Sequence, residues 1–213
     1  MNLIIFGPPA AGKGTQSDLI VKDFELKKIS TGDLLRLEIS KKNDLGNKIK
    51  SIINKGKLVS DNLINDLVKK AISDKKNENK FIFDGYPRNV KQAEILDQFL
   101  DNLKQNLKLV VNLEVDKELL VKRVTGRSFC DKCKRIFNDF FNSPDTNHSC
   151  GVEFLKRRPD DTKEILEKRL QTYLEITLPI LNFYEKKKIL RKINGNGDIS
   201  LIYKEISSIL KAL

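Results

Sequence analysis

Short apolar runs alternate with amphipathic stretches along most of this 213-residue chain. Residues 3–6 predict a short buried strand, residues 13–22 a helix, residues 26–29 a second strand and residues 31–40 a second helix. Apolar positions then recur at helical spacing: Leu45, Ile49, Ile52 and Ile53 over residues 45–54, and Leu63, Ile64, Leu67, Val68 and Ile72 over residues 60–73. Phe81, Ile82 and Phe83 read as a buried strand, and Ala93, Leu96, Leu100 and Leu103 put one apolar face on a helix over residues 90–103. Residues 107–115 are strand-like and 117–124 helical. The periodicity fails from about residue 126 to 159. Residues 162–188 form a long helical stretch with a bend at Pro179, whose ring and missing N–H interrupt a helix. A strand over 190–193 and a helix over 199–213 complete the pattern.

Strands that alternate with helices imply an α/β fold with a parallel sheet covered on both faces. Ligands of such sheets sit beyond the carboxyl ends of the strands. The aperiodic segment over 127–158 is too long for an ordinary connection and reads as a separate lobe.

The first strand runs into Gly7-Pro-Pro-Ala-Ala-Gly12-Lys13-Gly14-Thr15, which opens the first helix. The glycines let backbone N–H groups turn toward phosphate oxygens, and the helix N-terminus adds a favourable dipole. Lys13 can reach the transferred phosphoryl group, and Thr15 can face Mg²⁺ or a phosphate. A plain Gly/Pro turn is the bland alternative, and the strand–loop–helix context argues against it.

Further motifs follow in order: Ser30-Thr31-Gly32-Asp33-Leu34-Leu35-Arg36, Gly56-Lys57-Leu58-Val59, Asp84-Gly85-Tyr86-Pro87-Arg88, Gly126-Arg127, Arg158-Pro159-Asp160-Asp161 and Arg169. With Ala11-Gly12-Lys13-Gly14-Thr15-Gln16 they span essentially the whole chain, which resembles the adenylate kinases of the long-lid type found in bacteria. The resemblance implies a three-layer P-loop NTPase fold with a parallel central sheet, a helical insertion that binds the monophosphate, and a small lid. The implied core covers residues 1–29, 60–126 and 159–213, the AMP lobe 30–59 and the lid 127–158. The implied reaction is MgATP + AMP = 2 ADP.

The resemblance also implies roles at matching positions. Gly7, Gly12, Gly14, Thr15 and Lys13 hold the ATP phosphates, Arg123 stacks on the ATP adenine, and Gly195–Gly197 lets backbone approach that base. Arg127, Arg158 and Arg169 clamp the phosphoryl group in flight, and Arg36 and Arg88 grip the AMP phosphate. Thr31, Lys57, Val59, Gly85 and Gln92 frame AMP, with Gln92 on the adenine edge, and Asp84 acts through water on Mg²⁺. Ala10 departs from the family's usual Gly, where a Cβ is tolerated if φ stays negative. Asp160 and Asp161 have two readings, an N-cap for the next helix or partners for arginines.

The lid segment carries Cys130-x-x-Cys133 and, sixteen residues later, Cys150-x-x-Glu153, the frame of a zinc ribbon. Cys130, Cys133, Cys150 and Glu153 are the expected ligands of a structural Zn²⁺, and His148 is a nearby rival for the fourth place. In the resembling family, Cys or Asp stands more often where Glu153 does. Four ligands leave no open position, so the metal folds the lobe and takes no part in catalysis.

Composition adds two points. Twenty-two Ile and 11 Phe supply a core, which excludes a disordered, collagen-like or disulfide-dependent chain. The net charge of +11 suggests a polyanionic partner, but it comes from 31 Lys and only 9 Arg. Six of those Arg (36, 88, 123, 127, 158 and 169) fall on expected nucleotide contacts. The polyanion is then ATP, AMP and ADP, with no nucleic acid and no membrane. A nucleic-acid-binding zinc ribbon would explain the charge and the cysteines but not the phosphate loop or Gly-Tyr-Pro-Arg. Other monophosphate kinases are closer rivals, and Thr31, Gln92 and the long lid favour AMP over UMP or CMP. No secretory signal pattern and an odd cysteine count predict a reducing, cytoplasmic setting. A monomer is the family expectation.

Overall fold

The computed structural model describes residues 1–73, 78–144 and 148–213. Residues 74–77 of the expected core and 145–147 of the expected lid lie outside the described residues. Five parallel strands, β1 (Asn2–Phe6), β2 (Lys27–Ser30), β3 (Phe81–Asp84), β4 (Leu107–Glu114) and β8 (Leu190–Asn194), form a sheet in the order β2-β3-β1-β4-β8. The central strand is apolar on both sides because both faces are covered. Ile4 and Phe6 join Phe81, Phe83 and Val110 in one core, and Leu3 and Ile5 join Ile82, Leu109 and Val111 in the other.

Helix α1 (Lys13–Phe24) follows β1, and α2 (Thr31–Ser40) follows β2. Ser30 Oγ accepts from the Asp33 N–H and so starts α2 directly at the strand end. Helices α3 (Asp44–Asn54) and α4 (Asp61–Ile72) follow α2 with no strand between them, and α5 (Val90–Asn102) and α6 (Lys117–Thr125) follow β3 and β4. Asn89 caps α5 by accepting the Gln92 N–H at 2.8 Å, which fixes the turn after β3.

The aperiodic segment folds as a small antiparallel sheet of β5 (Arg127–Cys130), β6 (Ile136–Asn138) and β7 (Leu155–Lys156), in the order β6-β5-β7. Strands of four, three and two residues are too short to print a period-2 pattern. The long C-terminal helical stretch divides into α7 (Lys163–Thr172), a π-helical turn (Tyr173–Thr177) and α8 (Ile180–Lys186), and α9 (Ile199–Lys211) closes the chain. In the π turn the Leu178 N–H reaches the Tyr173 carbonyl at 2.8 Å. The break therefore starts before Pro179, which has no N–H to offer the preceding turn.

Strand order reverses across β1, with β2 and β3 on one side and β4 and β8 on the other. Beyond such a reversal the loops diverge and leave a crevice at the carboxyl ends. The loop after β1 starts at Gly7 and the loop after β3 at Gly85, so both open into it.

Candidate active site

Gly7 and Gly12 have φ of 146° and 94°, which turns the phosphate loop back on itself before α1 begins. Gly12 sits at the N-cap position of α1, and no side chain caps this helix end. The first-turn N–H groups are thus left facing the crevice, an anion-binding arrangement. Ala10 has φ of 65°, in the left-handed region, so the negative φ expected for an unstrained Cβ is not met. Such a conformation costs a non-glycine residue about 1–2 kcal/mol.

Lys13 Nζ donates to the Gly7 and Pro8 carbonyls, each at 2.8 Å. Burial pushes the Lys13 ammonium down to about 8, Asp84 opposes this, and the charges of Arg88, Arg127 and Arg169 add to it. These three arginines thus converge on the loop lysine. Arg88 is itself depressed by burial, then by Arg169 and Arg36, with Asp84 again opposing. Arg158 is pulled down to about 10 by burial and by Arg127 and Arg36. The fold therefore links Lys13, Arg36, Arg88, Arg127, Arg158 and Arg169 as one series of neighbouring charges, in which Asp84 is the carboxylate shared by Lys13 and Arg88.

Most of these cations rest on internal acceptors. Arg127 Nε donates to Asp161 Oδ2 at 2.7 Å and its Nη2 to Oδ1. Arg169 pairs with Asp160, and Arg36 with Asp33. Thr162, not either aspartate, caps α7 through a 3.3 Å bond from the Ile165 N–H, so Asp160 and Asp161 serve as arginine partners. Arg88 Nε donates to the Gly85 carbonyl at 2.9 Å, and Thr31 Oγ1 donates to the same oxygen at 2.8 Å. The Arg88 backbone is held at both ends, its N–H by Gln92 Oε1 at 2.7 Å and its carbonyl by Thr177 Oγ1 at 2.9 Å.

Arg123 bridges the loop to the opposite side of the crevice, donating to the Ala11 carbonyl at 3.0 Å and the Gly195 carbonyl at 2.9 Å. Thr15 lies on the first turn of α1, partly buried. Val59 is buried, Lys57 is exposed, and Gly197 is exposed with open space where a Cβ would stand. None of these three joins the cation cluster through a direct contact among the described residues.

Lys28 carries a role that no sequence motif announced, being one of 31 lysines. Its Nζ lies 2.9 Å from Asp18 Oδ1, 3.3 Å from the Gly14 carbonyl and 3.8 Å from Asp84 Oδ2. Asp84 is thereby flanked by two ammonium groups, Lys13 and Lys28.

In the lid, Cys130, Cys133, His148 and Cys150 bring their ligand atoms within 4.8 Å of one another. Ligands ~2.3 Å from a tetrahedral Zn²⁺ stand roughly 3.8 Å apart, so this donor set fits a structural zinc. Cys133 Sγ and His148 Nε2 are 3.6 Å apart, and the His148 ring meets buried Phe137 edge-on at 4.8 Å. The expectation of Glu153 as fourth ligand is corrected. Glu153 lies exposed on the 3₁₀ turn Val152–Phe154, with its carboxylate folded against Gly151. The geometry instead puts a nearly buried imidazole in the fourth place. Burial pushes the Cys130 thiol up, but hydrogen bonds led by the Cys133 amide outweigh it and bring the group down to about 6, toward the thiolate a metal requires.

The model of the family described as adenylate kinase matches residues 5–189. The chain belongs to the adenylate kinase family. It is 44% identical to the adenylate kinase of Pelagibacter ubique, over 99% of this chain and 100% of that one. It is 40% identical to the adenylate kinase of Listeria monocytogenes, over 99% of each chain. It is 38% identical to that of Thermosipho africanus, over 99% of this chain and 100% of the other. The five-stranded parallel sheet with its central phosphate loop is the fold expected of an adenylate kinase, and the Cys₃His cluster places the chain with the zinc-lid variants. Among the described residues no helix is long and apolar enough to cross a membrane.

Proposed function

We propose that this adenylate kinase transfers the γ-phosphoryl group of MgATP directly to the AMP phosphate, giving two ADP. Support comes from the gathering of buried cations: Lys13, Arg88 and Arg158 are each depressed first by burial and then by guanidinium neighbours, Arg88, Arg127 and Arg169 at Lys13, Arg169 and Arg36 at Arg88, and Arg127 and Arg36 at Arg158. Like charges are gathered at such cost only where an anion of several charges is to be bound. An AMP phosphate oxygen is already anionic at neutral pH, so the acceptor needs no general base. The chain's single histidine, His148, stands in the lid cluster instead. Positioning and charge stabilisation then suffice for phosphoryl transfer.

In this reading the N–H groups of Gly7, Gly12, Gly14 and Thr15 and the Lys13 ammonium hold the ATP phosphates. Arg123 and Gly197 border the donor base. Arg36 and Arg88 hold the AMP phosphate, Thr31, Lys57, Val59, Gly85 and Gln92 frame its nucleoside, and Arg127, Arg158 and Arg169 close on the group in transit. Asp160 and Asp161 release their arginines as phosphate replaces carboxylate. Oxygen donors at Asp84 and Thr15 suit a hard cation, and Mg²⁺ held there with ATP neutralises charge on the β- and γ-phosphates. Residues 1–29, 60–126 and 159–213 serve as core, 30–59 as AMP lobe and 127–158 as a lid that excludes water. The zinc cluster shapes that lid. The enzyme is expected to act as a monomer, and three free thiols suit the cytoplasm.

The test offers AMP, UMP, CMP and GMP as acceptors with ATP or GTP and measures diphosphate formation. AMP with ATP is expected to be the most efficient pair, and any other best pair refutes the assignment.

A further inference from the structure

Gln92 is almost completely buried, and its side-chain amide is bonded on both ends. Oε1 accepts the Arg88 N–H at 2.7 Å, and Nε2 donates to Asp61 Oδ1 at 2.6 Å. These partners leave no ambiguity about which end is which. A backbone N–H only donates, so the atom facing Arg88 is oxygen, and a carboxylate only accepts, so the atom facing Asp61 is nitrogen. Turning the amide over would set donor against donor at Arg88 and acceptor against acceptor at Asp61.

Asp61 is itself anchored. It stands in the first turn of α4 and accepts from Asn89 Nδ2 at 3.1 Å and 2.9 Å through its two oxygens. Asn89 in turn caps α5, the helix that carries Gln92. The amide of Gln92 therefore keeps one N–H and one lone pair for a ligand, in a fixed order.

That order has a chemical consequence. Adenine presents an acceptor at N1 beside a donor amino group at position 6. A 6-oxopurine presents the reverse, a donor at N1 beside an acceptor at O6. A free glutamine amide matches either base by flipping, whereas a locked one matches only one. We infer that Asp61 is a specificity-determining residue, which discriminates AMP from 6-oxopurine monophosphates by locking the Gln92 amide. This rests on the reading that Gln92 faces the acceptor base.

The experiment compares kcat/KM for AMP and for IMP, with MgATP as donor, in the full chain and in D61N. The carboxamide that D61N introduces presents either an oxygen or an N–H to Gln92, so the Asp61 half of the lock is lost and only the Arg88 N–H still opposes turning. The AMP-to-IMP ratio is expected to fall about tenfold or more, the loss of a sterically silent but polar check. N89S retains a capping oxygen but loses the donor to Asp61, and is expected to leave the ratio within twofold. D61S, smaller and equally unable to fix the amide, is expected to reproduce D61N and guards against a folding defect peculiar to one variant. A ratio unchanged in D61N and D61S, with only the thermal midpoint lowered, overturns the inference and leaves Asp61 a structural residue. Q92L separates the two levels. If it leaves both KM for AMP and the ratio unchanged, the base-facing reading of Gln92 fails. If it collapses the ratio while D61N and D61S do not, that reading stands and the role of Asp61 alone fails.

Discussion

Gly85 offers a single-methyl test of the side of the crevice proposed to hold AMP. It has φ of 75°, and a Cβ built there would stand 2.9 Å from Thr31 Oγ1 and 3.3 Å from Arg88 Nη2. Its carbonyl accepts from both of those side chains. G85A thus carries two costs. The left-handed backbone costs an alanine about 1–2 kcal/mol. Moving Thr31 and Arg88 weakens one neutral and one charged hydrogen bond, about 1 and 1.5–3 kcal/mol if each is lost outright. Partial accommodation brings the sum to roughly 2–4 kcal/mol, with the strain felt by the fold and the displacement felt by AMP. For a chain of this length each kcal/mol lowers Tm by about 2–4 °C, so a loss of roughly 4–16 °C is expected in differential scanning calorimetry. Initial rates should show KM for AMP raised about tenfold or more, at 1.4 kcal/mol per factor of ten. KM for ATP should stay within about twofold, because the donor loop makes no bond to Gly85. A lowered Tm with KM for AMP unchanged would show that Thr31 and Arg88 do not serve the AMP phosphate, and would refute the assignment of this corner.

Three further outcomes are expected. Zinc analysis of protein kept from chelators should find about one zinc per chain from the tetrahedral donor set, retained in E153A and lost in H148A; the reverse pattern would restore Glu153 as the ligand. Lys13 sits near 8 against an ordinary 10.5, so kcat/KM for ATP should fall as pH rises past about 8, and a profile flat to pH 10 would contradict the depression. The same lysine burdens the fold while protonated. Between these two values the unfolded chain binds more protons, so urea-derived stability from this group should rise with pH. Finally, R158A relieves repulsion from Arg127 and Arg36, so it should raise or preserve Tm while lowering kcat on the order of 10²-fold; a fall in Tm with kcat intact would make Arg158 structural.

Much of the architecture was legible because its signals are local. The buried strands β1 and β3 announce themselves as unbroken apolar runs, and α2 begins at Thr31, as expected, because Ser30 supplies the cap. The phosphate loop and the Gly85–Arg88 turn were equally plain, since glycine and proline mark the backbone they require. What stayed hidden depends on tertiary context. Three lid strands of two to four residues leave no pattern to read. Spacing pointed to Glu153 as the fourth ligand, yet the chain turns at Gly151, with φ of 87°, and His148 reaches the cysteines instead. Ala10 looked harmless by residue type, and only the traced loop shows its positive φ. Lys28 near Asp84, Asp61 under Gln92 and Thr177 under Arg88 are long-range pairings, separated by 56, 31 and 89 positions. No window of local sequence contains both partners.

Label transfer follows the phosphoryl group itself from donor to acceptor. ATP labelled in its γ-phosphorus is mixed with unlabelled AMP, Mg²⁺ and enzyme, and products are followed before the reverse reaction scrambles them. Direct transfer predicts that all released label appears in the β-phosphate of ADP formed from AMP, with one further ADP per transfer left by the donor. Label released as inorganic phosphate at a comparable rate, or carried to another acceptor in preference to AMP, would refute transfer from ATP to AMP.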